Sequence, residues 1–193
     1  GQYGFMLPEG LKKDQKFDSP ILTPSTKAEY GEHDEPIARD AIVNGLVEES
    51  IYAQAEEYAL KLFAAGQEWA AKQGLILVDT KYEFGMVNGE LIVIDEIHTP
   101  DSSRYWIADD YEARFNAGEG QNMLDKENIR QWLIERGFSG EGTPPALTDE
   151  IRVSLAERYI ELYTKLTGQD FHPKLGDVKS RINNNLEKAG IYA

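Results

Sequence analysis

The stretches "LVDTKYEFG" (77–85) and "IDEIHTPDSSR" (94–104) place Asp79, Lys81, Glu83, Asp95 and Glu96 within or at the ends of two apolar runs. Charges are costly to bury unless they are paired or hold a metal, so their presence in a core-forming pair of strands calls for a chemical reason. On a strand, alternate side chains share a face: Asp79, Lys81 and Glu83 point one way, Tyr82 and Phe84 towards the core. A strict two-residue turn at Asn88-Gly89 sets Glu83 opposite Ile94 and Lys81 opposite Glu96. A three-residue loop with a bulge sets Glu83 opposite Asp95 instead, and the sequence leaves both registers open. Two carboxylates about 4 Å apart repel by roughly 4 kcal/mol at an effective dielectric near 20, so such a pair takes up a proton or a cation. Oxygen donors without His or Cys suit Mg²⁺, which uses one or two carboxylates plus substrate phosphates. Asp-x-Lys-x-Glu with a further Asp on the next strand therefore suits phosphoryl transfer, with lysine steadying phosphate charge and acids holding metal. A solvated sheet face with cross-strand Lys–Glu pairs accounts for the same spacing. "TPDSSR" adds Asp101, Ser102 and Arg104 on a turn, which reads as an anion-orienting loop or as a capping turn with a surface arginine.

The elements that must position these residues follow from periodicity. Apolar residues recur at three- and four-residue steps from Ala38 to Gln73, long enough for two consecutive helices broken at Gly45 or Gly66 and capped by Gly74. Leu75–Met86 and Leu91–Ile97 read as two strands joined at Asn88-Gly89, the strongest short hairpin signal. Residues 98–122 read as irregular. Asp125 is placed to N-cap a helix over Lys126–Arg136 ending at Gly137, and Thr148 to cap Asp149–Leu166, closed by Gly168. A final helix follows Pro173 through Lys188. No internal repeat or low-complexity segment is present. The expected class is α+β, a helical body around a small antiparallel sheet with a central β-hairpin.

Composition narrows the partners. The 193-residue chain carries 20 basic and 34 acidic side chains, a formal charge of −14, which repels nucleic acid and anionic lipid at long range. It has no cysteine, so disulfides, thiolate metal sites and a cysteine nucleophile are excluded, in keeping with a reducing, cytoplasmic setting. No apolar run approaches the roughly 20 residues of a membrane span. Residues 1–37 are rich in proline and glycine and lack an initiator methionine. They read as a loop-rich segment continuing from a preceding lobe, with 38–193 as the C-terminal lobe that holds the hairpin region 75–104.

Four segments in order resemble one family. "LVDTKYEFG" and "IDEIHTPDSSR" resemble the two signature segments of SAICAR synthetase, the phosphoribosylaminoimidazole-succinocarboxamide synthase of purine biosynthesis. "TPSTKAEYGEHDEPI" (23–37) resembles a third, and "LDKENIRQWL" (124–133) the family's D-K-x-x-x-R-x-[WY]-L element. The resemblance implies a kinase-like fold and an ATP- and Mg²⁺-dependent ligase. Such a ligase joins L-aspartate to 5-aminoimidazole-4-carboxylate ribonucleotide, through an acyl phosphate, to give SAICAR, ADP and phosphate. Carried over by motif position, Glu83 and Asp95 would bind magnesium and nucleotide, Lys81 would meet the transferring phosphate or imidazole carboxylate, and Asp79 would orient the substrate amine or the lysine. Asp101, Ser102 and Arg104 would line the ribonucleotide pocket, Lys27 and Asp34 the aspartate or phosphate end, and Lys126 and Arg130 would contact substrate. His33 and His98 are read as structural, and the spacing of His33, His98 and His172 suggests no metal site. The implied partners are the three small-molecule substrates and an N-terminal lobe; homo-oligomerisation is open. The family's glycine-rich nucleotide-covering strands have no counterpart in these residues, and "GEGQN" and "SGEGTPP" lack the strand-to-helix context to replace them. The chain alone is therefore expected to have little or no ligase activity. A kinase-like small-molecule phosphotransferase and a non-catalytic interaction domain are the competing readings.

Overall fold

The computed structural model describes residues 1–28, 34–140 and 142–191. Helical periodicity resolves into a short helix α1, Arg39–Val43, and a long helix α2, Glu49–Lys72. The break falls at Gly45, where Leu46 and Val47 both donate backwards to the Ile42 carbonyl, while Gly66 stays inside α2. Gly74, at φ +70°, ends α2 by donating to the Ala71 carbonyl in the left-handed conformation that glycine adopts without strain. Glu57–Lys61 and Glu68–Lys72 ion pairs run along the solvent side of α2, and Gly66 and Ala70 face inward.

The long apolar run after Gly74 is two strands, which corrects the single strand expected there. β1, Leu75–Thr80, pairs antiparallel with a strand at Ser103–Ile107, while β2, Phe84–Val87, pairs with β3, Glu90–Val93. Ser103–Ile107 is β4. The exchange of partners takes place at residues 81–83: Lys81 N–H still donates to the Ser102 carbonyl, and the Glu83 carbonyl already accepts from Ile94 N–H. Both strands alternate with period two, so the sequence pattern runs through the join unbroken. The second strand ends at Val93, short of the expected Ile97. The hairpin takes the strict register, with Val87 opposite Glu90 and Phe84 opposite Val93. Asn88 and Gly89 both have positive φ, 54° and 85°, as a type I′ turn requires.

The region 98–122 is likewise more ordered than expected, since it holds β4 and α3, Tyr111–Ala117. β4 lies between β1 and the segment 122–124, which bonds to it through Ile107 N–H to Asn122 O and Leu124 N–H to Tyr105 O. α4 spans Glu127–Ile134, α5 Asp149–Thr167 and α6 Val178–Lys188. Thr148 caps α5 through its hydroxyl, and Asp177 caps α6. The core joins α2, β1, β4 and α5: Ala70, Leu75, Leu77, Tyr105, Leu124 and Leu162 bury together, with Phe63, Ile107 and Leu166 against them. Leu75 and Leu77, each 1% exposed, contribute about 1.5–3 kcal/mol apiece by burial. Trp69 Nε1 donates to the Leu166 carbonyl and locks α2 to α5. Among the described residues no helix is long and apolar enough to cross a membrane.

Candidate active site

Two chains of opposite charges leave neighbouring positions of one extended segment. The first is built on the 81–83 crossover. Lys81 Nζ lies 3.0 Å from both Glu83 Oε1 and Asp34 Oδ2, and Lys27 Nζ lies 2.5 Å from Glu83 Oε2. Asp34 is fixed from behind by the Ala28 N–H, which donates to its Oδ1. Lys27 and Asp34 come from a segment that passes beside the hairpin, held by backbone bonds between Thr26 and Glu35 and between Pro24 and Ile37. His33 lies outside the described residues.

Each charge in this chain supports its neighbours. Hydrogen bonds from Lys27 and then Lys81 hold the Glu83 carboxyl below its ordinary value, and the Ala28 N–H and Lys81 do the same for Asp34. Glu83 raises Lys27, while Asp34 and Glu83 raise Lys81, so both lysines are cationic throughout the neutral range. Asp95 is exposed just beyond β3 and adds to the negative field on Lys27. The strict hairpin register puts Ile94, not Asp95, opposite Glu83, so these two carboxylates do not form a cross-strand pair.

The second chain runs from β1 across β4 to α4. Asp79 stands opposite Arg104 in the register, and Arg104 Nη1 lies 2.5 Å from Asp79 Oδ2. This separates Asp79 from Lys81 and Glu83, which the alternation rule placed on one face. A register irregularity between Leu77 and Asp79 accompanies the change. Arg104 Nε also approaches Glu127 Oε2 at 3.6 Å, and Arg130 reaches the same oxygen at 3.7 Å. Lys126 pairs with Asp101 at 3.2 Å.

The turn before β4 supports this chain. Thr99 donates its hydroxyl to Glu96 and accepts from the Ser102 N–H, and Ser103 Oγ donates to Thr80 Oγ1 at 2.8 Å. Ser102 Oγ is within 3.3 Å of Ser103 Oγ. His98 is structural here: its ring packs on Gly66, where an added Cβ would meet Cε1 at 2.4 Å, and its Nε2 lies 2.6 Å from the Tyr82 hydroxyl. Its carbonyl accepts from Tyr105 OH. Burial holds the imidazole below its ordinary value and raises Tyr82 and Tyr105 to about 12, so all three are neutral.

The structure thus brings together Lys27, Asp34, Lys81 and Glu83, and separately Asp79, Arg104 and Arg130, with Asp101 and Lys126 paired on the same turn and helix; Asp95 makes no ion pair with either group among the described residues. Two residues were missed. Glu127 is the anion shared by Arg104 and Arg130, and Asp125, fully buried, accepts from Tyr105 N–H at 2.9 Å and from Glu127 N–H at 2.7 Å. Its place before Lys126 signalled only a helix cap. Among the described residues no group of three or more His, Cys, Asp or Glu side chains forms a cage for a metal.

Comparison with known proteins identifies the family. The sequence model of SAICAR synthetase matches residues 1–145. The phosphoribosylaminoimidazole-succinocarboxamide synthase of Cytophaga hutchinsonii is 54% identical over 190 residues, covering 96% of this chain and 61% of that protein. The SAICAR-synthase from Saccharomyces cerevisiae, solved in complex with SAICAR, aligns at a TM-score of 0.72 and 36% identity over 88% of this chain and 54% of that one. A SAICAR synthetase solved in complex with ADP aligns at 0.58 and 31% identity, again over 88% of this chain, and 57% of that one. The chain spans about 60% of the length of the curated relatives it matches. With three-quarters of its residues matched by the family's sequence and its fold shared with solved members, the chain belongs to the SAICAR synthetase family.

Proposed function

We propose that this chain carries the metal- and substrate-handling part of an ATP-dependent ligase that joins L-aspartate to 5-aminoimidazole-4-carboxylate ribonucleotide. The observation that carries the reading is the Lys27–Glu83–Lys81–Asp34 chain, in which two signature segments distant in sequence converge on the 81–83 crossover. Relatives solved with SAICAR and with ADP support the same substrates and products.

Forming an amide from a carboxylate and an amine requires that an oxygen leave. The γ-phosphoryl group of ATP passes to the imidazole carboxylate, the aspartate amine attacks the acyl carbon, and phosphate departs with that oxygen. Lys81 is a fixed cation beside two carboxylates and steadies the phosphate or carboxylate charge; its raised pKa keeps it from acting as a base near neutrality. Asp79 orients the amine or holds Arg104. Arg104, with Asp101 and Ser102 on the turn, Lys126 at the start of α4 and Arg130 on it, receives the ribonucleotide, and Lys27 and Asp34 serve the aspartate or phosphate end.

Glu83 and Asp95 would hold Mg²⁺: Glu83 is 19% exposed and anchored by Lys81, and the Lys27 ammonium on it, 74% exposed, would give way to the ion. Two carboxylates are the share this ion takes from a protein when substrate phosphates supply further oxygens. Bound there, magnesium would neutralise phosphate charge.

The test is ADP release by the purified protein, with any sequence that flanks these residues retained. ATP, magnesium, L-aspartate and the carboxylated ribonucleotide are omitted one at a time. ADP formation that requires all four supports the ligase. Release that persists without aspartate would point to a phosphotransferase instead.

A further inference from the structure

Asp125 is the one fully buried carboxylate among the described residues, and the reaction as described gives it no task. Capping α4 does not account for it. A serine, threonine or asparagine caps as well, and burying a charge costs more than a cap returns. Burial indeed pushes its carboxyl up, opposed by the two backbone N–H donors and by the Arg104 charge.

The identity of its partners is informative. One oxygen accepts from Tyr105, the strand residue that follows Arg104; the other accepts from Glu127, the helix residue whose carboxylate touches the Arg104 guanidinium. Asp125 therefore joins β4 to α4 at the two backbone positions that carry this ion pair. The same helix turn presents Lys126 and Arg130, the latter sharing Glu127 with Arg104. The Leu124 N–H bond to the Tyr105 carbonyl brings the chain to β4, and Asp125 adds the link that ties the first helical residue, Glu127, to the same strand position.

We propose that Asp125 is a positioning residue that sets Arg104 against Glu127 and Arg130, and so fixes the spacing of the cations that receive the anionic ribonucleotide. The inference rests on the ribonucleotide reading of Arg104 given above. Asparagine at this position keeps the size but offers one acceptor oxygen and an NH₂ in place of the second, so Asp125→Asn releases one of the two backbone links.

The experiment uses the protein with any flanking sequence retained and measures kcat and KM for all three substrates in wild type, Asp125→Asn, Arg104→Gln and the double variant, with circular dichroism and melting temperature as controls. The expected result for Asp125→Asn is a KM for the ribonucleotide raised about tenfold or more, KM for ATP within about twofold of wild type, and no further loss when it is combined with Arg104→Gln. If Asp125→Asn does not fold, Asp125→Ser, which can still cap the Glu127 N–H but cannot also reach Tyr105, decides in its place, with the same selective rise and the same lack of additivity expected. An unchanged ribonucleotide KM, a uniform rise for all three substrates, or full additivity with Arg104→Gln would overturn the inference alone. A wild type that does not turn over the ribonucleotide would overturn the proposed function and this inference together.

Discussion

Replacing Gly66 by alanine sets two effects of opposite sign against each other. Gly66 lies within the 24-residue helix α2, where helix propensity alone favours alanine by about 1 kcal/mol. A Cβ at that position, however, would stand 2.4 Å from His98 Cε1, 2.8 Å from His98 Nε2 and 2.7 Å from Leu77 Cδ2. Neither neighbour has room to give. Leu77 is 1% exposed in the core, and His98 is held by the Tyr82 hydroxyl and by Tyr105 OH on its carbonyl, with its own φ at +57°. Overpacking of this kind costs about 1–3 kcal/mol. The net is a loss of about 1 kcal/mol, which lowers the melting temperature of a chain this size by about 2–4 °C. Urea denaturation of Gly66→Ala beside wild type reads it directly. The displaced His98 also moves the turn that bears Asp101 and Ser102, so the ribonucleotide KM rises. A variant more stable than wild type by about 1 kcal/mol would show that α2 does not bear on that turn, and the reasoning would fail.

Two further predictions concern ionisation. Glu83 should titrate, by carbon NMR of its carboxyl, below its ordinary 4.5, and Lys27→Met should move it back towards that value. Because the folded value is the lower one, the pairing stabilises the fold above about pH 4.5 and is lost as pH falls through the folded value; a Glu83 that titrates at 4.5 in both proteins contradicts the pairing. His98 is held below its ordinary 6.5 by burial, so the unfolded chain takes up the proton first and stability declines as pH drops through about 6.5. His98→Gln should flatten that decline, and an undiminished slope would place its origin elsewhere.

Local chemistry made part of the fold legible. Asn88-Gly89 marked the hairpin turn though not its register, Gly74 and Gly168 marked helix ends, and Thr148 marked a helix start. The exchange of strand partners at Lys81–Glu83 was not legible, because β1 and β2 share one alternation and nothing in the residues between them announces a new neighbour. β4 was missed for a related reason: "SRYWI" is a short run following a turn, and its strand character comes from lying between β1 and residues 122–124. The candidate site was legible as a set of residue types and motifs but not as pairs. Asp79 shares a strand parity with Lys81 and Glu83, yet the register gives it to Arg104. Lys27 meets Glu83 only through tertiary structure. Asp125 and Glu127 were hidden because their significance lies in joining a strand to a helix.

The most direct test of the site compares wild type with Glu83→Gln and Asp95→Asn in the ADP-release assay, at saturating ATP, aspartate and ribonucleotide and across a magnesium titration. If Glu83 and Asp95 hold the metal that serves the phosphates, both variants lose at least about a hundredfold in rate, roughly 2.7 kcal/mol of barrier, and need more magnesium to reach half their maximum. Wild-type rates and an unchanged magnesium requirement in both variants would show that these charges are surface pairs and that the active site lies elsewhere.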